Sequence, residues 1–295
     1  MDHGMSRIGG ETTPSPIRLF AHDKDPNVGD LLSKDVVGWV ARGPWVRASV
    51  SDCNLIAIGS IYPWLKRSWR RRLRVVHVWG SGMLQYYDGQ AADSRIVVHA
   101  ARGPLTAMAM RRSPRALGDP GVLADRTFGV SRAEGWASAR PGLILHLHQH
   151  QHMPQADIDR LSEIYEVIDM RTHDVRGTLE RIAGCSAIYS SSLHGLVMAD
   201  AVGVPNALVA PYGGEAPSGK PLFKYYDYAL SVDRTLGAPA KVADLVAGPP
   251  PLPPQADPAR LEAVKDALIR SFPFEVADAA AATVARPHPA TASAA

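Results

Sequence analysis

Short apolar runs alternate with amphipathic stretches along almost the whole chain, and that alternation limits the fold more than any other feature. "PIRLFAHD" (16–23), "NLIAIGS" (54–60), "LRVVHVWGSG" (73–82) and "SRIVVHAARGP" (94–104) read as buried strands. After the first of them, Leu31, Leu32, Val36, Val37 and Val40 recur at helical spacing, so a helix begins near Gly29. "LTAMAMRRS" is a further helix with Pro104 near its first turn. Past "LGDPGVLAD" the pattern restarts. Strands are expected in "PGLILHLHQHQH", "VIDMR", "SAIYSSS" and "PNALVA", and helices in "QADIDRLSEIYE" (155–166), "VRGTLERIAGC" and "LHGLVMADAVG". Strand–helix alternation requires parallel sheets joined by right-handed crossovers. The chain has 295 residues, long for one domain and suited to two. The expected fold is α/β, with two Rossmann-like domains (16–135 and 136–247) facing across a cleft. A Pro-rich linker and an amphipathic helix follow at 248–276. Residues 1–15 and 277–295 are expected to be disordered.

Composition narrows the class. Hydrophobic residues make up 46% and charged residues 21%, as in soluble globular proteins. A net charge of +3 does not call for a nucleic-acid partner, and none is expected. No apolar run reaches the roughly 18 residues of a membrane span. The N-terminal residues lack an apolar signal core, so a cytoplasmic location is expected. Cys53 and Cys185 lack CxxC spacing and read as buried thiols in a reducing compartment.

The stretch "SSSLHGLVMADAVGVP" (190–205) carries the strongest chemical signal. A strand precedes it and a helix follows, so its serines lie in a turn at the carboxyl edge of a sheet, where α/β proteins bind ligands. Ser191 and Ser192 can cap the helix, whose first N–H groups and dipole favour an anion. His194 sits in the first turn, and Gly195 beside it permits close approach of another group.

The chain resembles the polysaccharide pyruvyl transferase family. Four motifs occur in the family's order: "NVGD" (27–30), the strand ending in a Gly-rich loop (80–82), "ARGPLT" (101–106) with "LGDPGVLA" after it, and "SSLHG…A..GVP" (191–205). "KYYDY" (224–228), which contains Lys224, resembles a further, weaker motif. Many relatives have an arginine two residues before the histidine. Here that position is Ser192, the form of the bacterial exopolysaccharide ketal-pyruvate transferases. The family fold is GT-B-like, with a C-terminal helix crossing back. The resemblance implies phosphoenolpyruvate (PEP) as donor, no other cofactor, and a lipid-linked oligosaccharide as acceptor, whose sugar becomes a cyclic pyruvate ketal.

Such a reaction needs an acid, ligands for phosphate and carboxylate, and a base. His194 is the candidate acid or anion ligand. Arg102, just after a strand of the other domain, is a candidate fork for phosphate or carboxylate. Asn27, Gly29 and Asp30 share the first turn. Asn27 can bond an acceptor hydroxyl, and Asp30 is either its base or a helix-terminus charge. Gly80, Ser81 and Gly82 offer backbone N–H groups, and Lys224 a cation. Asp119 reads first as a turn former. His146, His148, His150 and His152 share one face if their strand continues, but no carboxylate or cysteine nearby completes a metal site, and no metal is expected. Segment 62–74 interleaves Trp64, Leu65, Trp69 and Leu73 with six basic residues, either a peripheral membrane contact or an ordinary solvated helix. Two other readings stay open: a GT-B glycosyltransferase using a nucleotide sugar, with Glu215 or Asp233 for the ribose, and a non-catalytic scaffold.

Overall fold

The first helix is capped and amphipathic as its residues dictate. The Asn27 side chain accepts the Gly29 N–H at 3.2 Å, and Val28, Leu31, Leu32, Val36, Val37 and Val40 are all buried. A computed structural model describes residues 16–22, 26–68, 74–87, 93–133, 135–136, 139–211 and 222–274. The two terminal segments expected to be disordered lie outside the described residues. So do Glu215 and residues 69–73 of the basic segment, of which Tyr62–Ser68 is a helix.

The strands are β1 (Ile17–Phe20), β2 (Trp45–Arg47), β3 (Leu55–Ile56), β4 (Val76–Trp79), β5 (Ile96–Ala101), β6 (Ala116–Leu117), β7 (Gly142–Ile144), β8 (Glu166–Val167), β9 (Ile188–Ser190) and β10 (Asn206–Leu208). The helices are α1 (Val28–Ala41), α2 (Tyr62–Ser68), α3 (Pro104–Met110), α4 (Ala124–Phe128), α5 (Leu147–His152), α6 (Gln155–Ile164), α7 (Val175–Gly184), α8 (Leu193–Ala201), α9 (Phe223–Ser231) and α10 (Pro258–Arg270). They form a Rossmann-like α/β structure with two sheets, ordered β2-β1-β3-β4-β5-β6 and β10-β9-β7-β8. Every pairing between these strands is parallel. β2 and β6 went unread in the sequence because neither lies in an apolar run of about four or more residues, "PWVRAS" and "PRALGD" being broken by proline and arginine.

Buried side chains of both halves join in one cluster, from Ile17 and Leu19 through Val28, Val197 and Leu196 to Leu268 and Phe272. The backbone links the halves too, Val28 N–H donating to Met170 O at 2.9 Å. α10 returns to the first half. There the Trp79 indole donates to Leu268 O at 2.9 Å, and Arg126 pairs with Glu262 and Asp266. The buried Lys265 of α10 bonds Asp125, Glu262 and Ala201 O. Cys53 and Cys185 are free and buried.

The histidine tract departs from the sequence reading. The strand stops at Ile144, and residues 147–152 turn into α5, with His150 N–H donating to His146 O and Met153 N–H to Gln149 O. Alternating His and Gln supply little apolar surface, so the tract lacks what a buried strand needs. The four imidazoles therefore do not share a face. His148 and His152 meet edge to face with 4.3 Å between ring centroids, while His150 meets Arg171 at 2.7 Å. Among the described residues no group of three His, Cys, Asp or Glu side chains is arranged to hold a metal.

Candidate functional site

Because all strands of each sheet run the same way, their carboxyl ends gather on one edge, and a cavity of about 200 Å³ opens where the two edges meet. His22 follows β1, Ser60 and Ile61 follow β3, Leu84 follows β4, Arg102 follows β5, and His146 follows β7. Asn27 and Asp30 come from the start of α1, Trp64 from α2, Ser192 and His194 from the start of α8, and Lys224 from α9. Larger cavities of about 410 and 610 Å³ lie beside α10 and beside α5–α6. Neither gathers strand ends from both sheets.

The separate motifs interlock in pairs. Gly29 of "NVGD" lies directly under the His194 ring. A Cβ there would be 2.6 Å from Cγ and 2.9 Å from Cβ of His194, and closer still to Nδ1. Only a residue without a side chain leaves room for that imidazole. Asp119 of "LGDP" approaches from the other side, its Oδ2 4.0 Å from His194 Nε2. "ARGPLT" and "KYYDY" form the second pair. Asp227 accepts from Arg102 Nε at 3.2 Å, from Thr106 N–H at 2.9 Å and from Thr106 Oγ1 at 2.6 Å. Gly103 fits against Asp227, where an added Cβ would sit 2.5 Å from Oδ1.

These contacts give Arg102 a different setting from the open fork that the sequence reading expected. Its side chain is 0% exposed. Nη1 donates to Ser60 Oγ at 2.8 Å and Nη2 to Met83 O, so all three nitrogens bond protein groups. Its positive charge still acts on the cavity. Burial lowers the pKa of His194 to about 3, and the charges of Lys224 and Arg102 lower it further within that total. The free ring is therefore neutral at pH 7. Asp30 is held by Asn27 Nδ2 at 2.8 Å and lies 3.6 Å from His22 Nδ1. Burial raises its pKa, against the opposing pull of His22, Asn27 and Lys224.

Asn27, Asp30, Arg102, Ser192, His194 and Lys224 thus come together as cavity lining. Gly29 supports the ring from below. The others are taken up by protein partners. Ser191 Oγ donates to Gln149 Oε1 at 2.5 Å and accepts the His146 N–H at 2.7 Å. Ser81 Oγ donates to Gly59 O at 2.9 Å. Gly80 packs on Pro120, Gly82 lies under the Arg102 guanidinium, and Gly195 packs on Ser190. None of these five lines the cavity, because their polar groups and free space are already filled from within. Asp233 pairs with Arg260 at 2.9 Å with its side chain 69% exposed, away from the cavity. Sequence reasoning did not assign His22, Ser60, Leu84 or Asp227 to the site. The one available signal was position, since His22, Ser60 and Leu84 each fall within a few residues of a strand's carboxyl end.

Residues 14–211, more than half of the chain, match the family model described as polysaccharide pyruvyl transferase. An uncharacterized protein of Acanthamoeba polyphaga mimivirus is 28% identical over 139 residues, 45% of this chain and 47% of the relative. The match therefore spans about half the length of that relative. No solved structure matches the chain.

Proposed function

This chain belongs to the polysaccharide pyruvyl transferase family, and from that premise we propose that it moves the pyruvyl group of PEP onto two hydroxyls of one sugar, closing a cyclic ketal. The acceptor is an exopolysaccharide repeat unit carried on a lipid at the inner face of the membrane. The observation that carries this reading is the convergence of Lys224, Arg102 and His194 on one small cavity at the strand ends. Lys224 and Arg102 bring two cations to the cavity, where the carboxylate of Asp30 also stands and that of Asp227 pairs with Arg102, and the cations with the start of α8 suit the phosphate and carboxylate of PEP.

The chemistry balances without another reactant. The methylene carbon of PEP gains a proton, the carbon bearing phosphate becomes electrophilic, and a sugar hydroxyl attacks it. Phosphate leaves and the second hydroxyl closes the ring. Of the two hydroxyl protons, one ends on the new methyl group and the other leaves with phosphate. In this reading His194 protonates the methylene carbon. Burial, and after it the field of Lys224 and Arg102, keeps the free ring neutral; the charge of the bound anion opposes both and draws a proton onto the ring, which acts as the acid when substrate is present. Asp30, with its raised pKa, takes the hydroxyl proton while Asn27 orients the hydroxyl. A GT-B-like pairing of units 16–135 and 136–247 and a cytoplasmic location belong to the same reading. So does docking through 62–74, whose six basic residues and two tryptophans suit an anionic membrane surface.

The test is turnover of PEP with a lipid-linked oligosaccharide, following phosphate release and the ketal methyl signal by NMR. Wild type should release one phosphate per ketal, and His194→Ala should lose more than about tenfold in kcat/KM, a barrier increase above ~1.4 kcal/mol. Sugar transfer from a nucleotide sugar with no use of PEP would overturn the reading.

A further inference from the structure

The turn after β6 holds a group that this chemistry has not used. Asp119 caps the 3₁₀ turn Pro120–Leu123, its Oδ1 accepting the Gly121 N–H at 3.0 Å. The side chain is wholly buried, and Oδ2 has no hydrogen-bond partner among the described residues. His194 Nε2, 4.0 Å away, is likewise buried and without a partner. Each such orphan is costly alone. Facing each other, the two atoms make a hydrogen bond on closing by ~1 Å. Capping does not require this arrangement, since asparagine caps a turn as well as aspartate.

We propose that Asp119 is the positioning residue of His194: Oδ2 takes the Nε2–H, fixes the ring's tautomer, and acts as counter-ion when the ring is protonated beside the bound anion. The inference rests on His194 being the proton donor to PEP. The donated proton leaves from Nδ1, the edge over Gly29, while Nε2–H stays with Asp119. One of the two hydroxyl protons then restores the ring and the other departs with phosphate. The charges facing the pair are Arg102 and Lys224 around the ring, and Arg102, Asp227 and Asp30 around Asp119, with Tyr228 nearby. Both cations oppose a charged ring, so the Asp119 carboxylate is the compensating charge at its buried nitrogen. Burial raises its pKa to about 6, which leaves it mostly ionised at neutral pH.

Asp119→Asn separates this role from turn formation. Its Oδ1 still caps Gly121, but an amide NH₂ replaces Oδ2 and presents a donor to Nε2. The neutral ring must then switch to the Nδ1–H tautomer. Nitrogen NMR of the histidine ring in free protein reads this without substrate: Nε2–H in wild type, Nδ1–H in the variant. With PEP and acceptor, kcat should fall by roughly a hundredfold or more with little change in PEP KM. The basic limb of the kcat profile should move to lower pH, because the ring loses its counter-ion. An unchanged tautomer and pH profile in Asp119→Asn would make Asp119 a turn former and overturn the proposal. An Nδ1–H ring in the wild type overturns it alone, whether or not the variant folds. A tautomer switch in protein whose wild type does not use PEP supports the pairing and refutes the PEP reading instead.

Discussion

Replacing Gly29 with alanine should separate catalysis from stability. The added Cβ would lie 2.6 Å from Cγ and 2.9 Å from Cβ of His194, whereas carbon atoms rest at about 3.5–4.0 Å. Rotating the ring about its last torsion does not help, because Cγ and Cβ stay where they are. The whole side chain, or the first turn of α8, must therefore move by ~1 Å. Overpacking of this kind costs ~1–3 kcal/mol. Alanine returns up to ~1 kcal/mol through its helix propensity. The net loss of stability is then about 0–2 kcal/mol, a fall of at most ~8 °C in Tm for a chain of this size. Activity should suffer more, since a 1 Å misplacement costs ~10²-fold, or about 2.7 kcal/mol in the barrier. Thermal unfolding and kcat/KM on the same preparation give both numbers. In a His194→Gly background both the Cγ and the Cβ that the new methyl meets are gone, so Gly29→Ala should add almost nothing to either loss. Additive effects there, or more than a tenth of wild-type kcat/KM in the single variant, would refute the argument that Gly29 exists to seat His194.

Asp227→Asn removes the carboxylate from a fully buried ion pair with Arg102 and should cost ~3–5 kcal/mol in urea denaturation. A loss below ~1 kcal/mol would show that other groups satisfy the guanidinium. The pH dependence of stability should expose the two opposed shifts at Asp119 and His194. Asp119 titrates at about 6 rather than 3.8, so between those values the native state holds an extra proton and gains stability as pH falls. His194 titrates at about 3 rather than 6.5, so the unfolded chain holds the extra proton and the native state loses stability as pH falls. The two contributions offset each other from pH 6 to 4. Across that range Asp119→Asn should lose ~1.4 kcal/mol per pH unit relative to wild type, and His194→Ala should gain it. Parallel profiles in all three proteins would rule out the shifts. Reversing the charge of Arg70, Arg71 and Arg72 should cut sedimentation with anionic vesicles at low salt, each basic residue contributing ~1 kcal/mol. A wild type that ignores such vesicles removes the membrane-docking role.

The sequence by itself determined the parallel α/β architecture, because burial on both faces forces apolar strand runs and crossover helices impose a 3.6-residue period. It also placed Asn27, Asp30, Arg102 and His194 at strand ends, which is a local property of βα turns. It did not distinguish residues that face the cavity from residues that hold the turns in place. Gly80, Ser81, Gly82, Ser191 and Gly195 have the same turn chemistry as the lining residues, yet their contacts come from Pro120, Gly59, Arg102, Gln149 and Ser190, four of them 20 or more positions away. The histidine tract misled for the opposite reason, since its two-residue period imitates a strand while the local hydrogen bonds close a helix. Tertiary structure alone decided that Gly29 meets His194 and that Asp227 meets Arg102. Each pair is far apart in the chain, and a vacancy at one residue acquires meaning only from the side chain that folding brings to fill it.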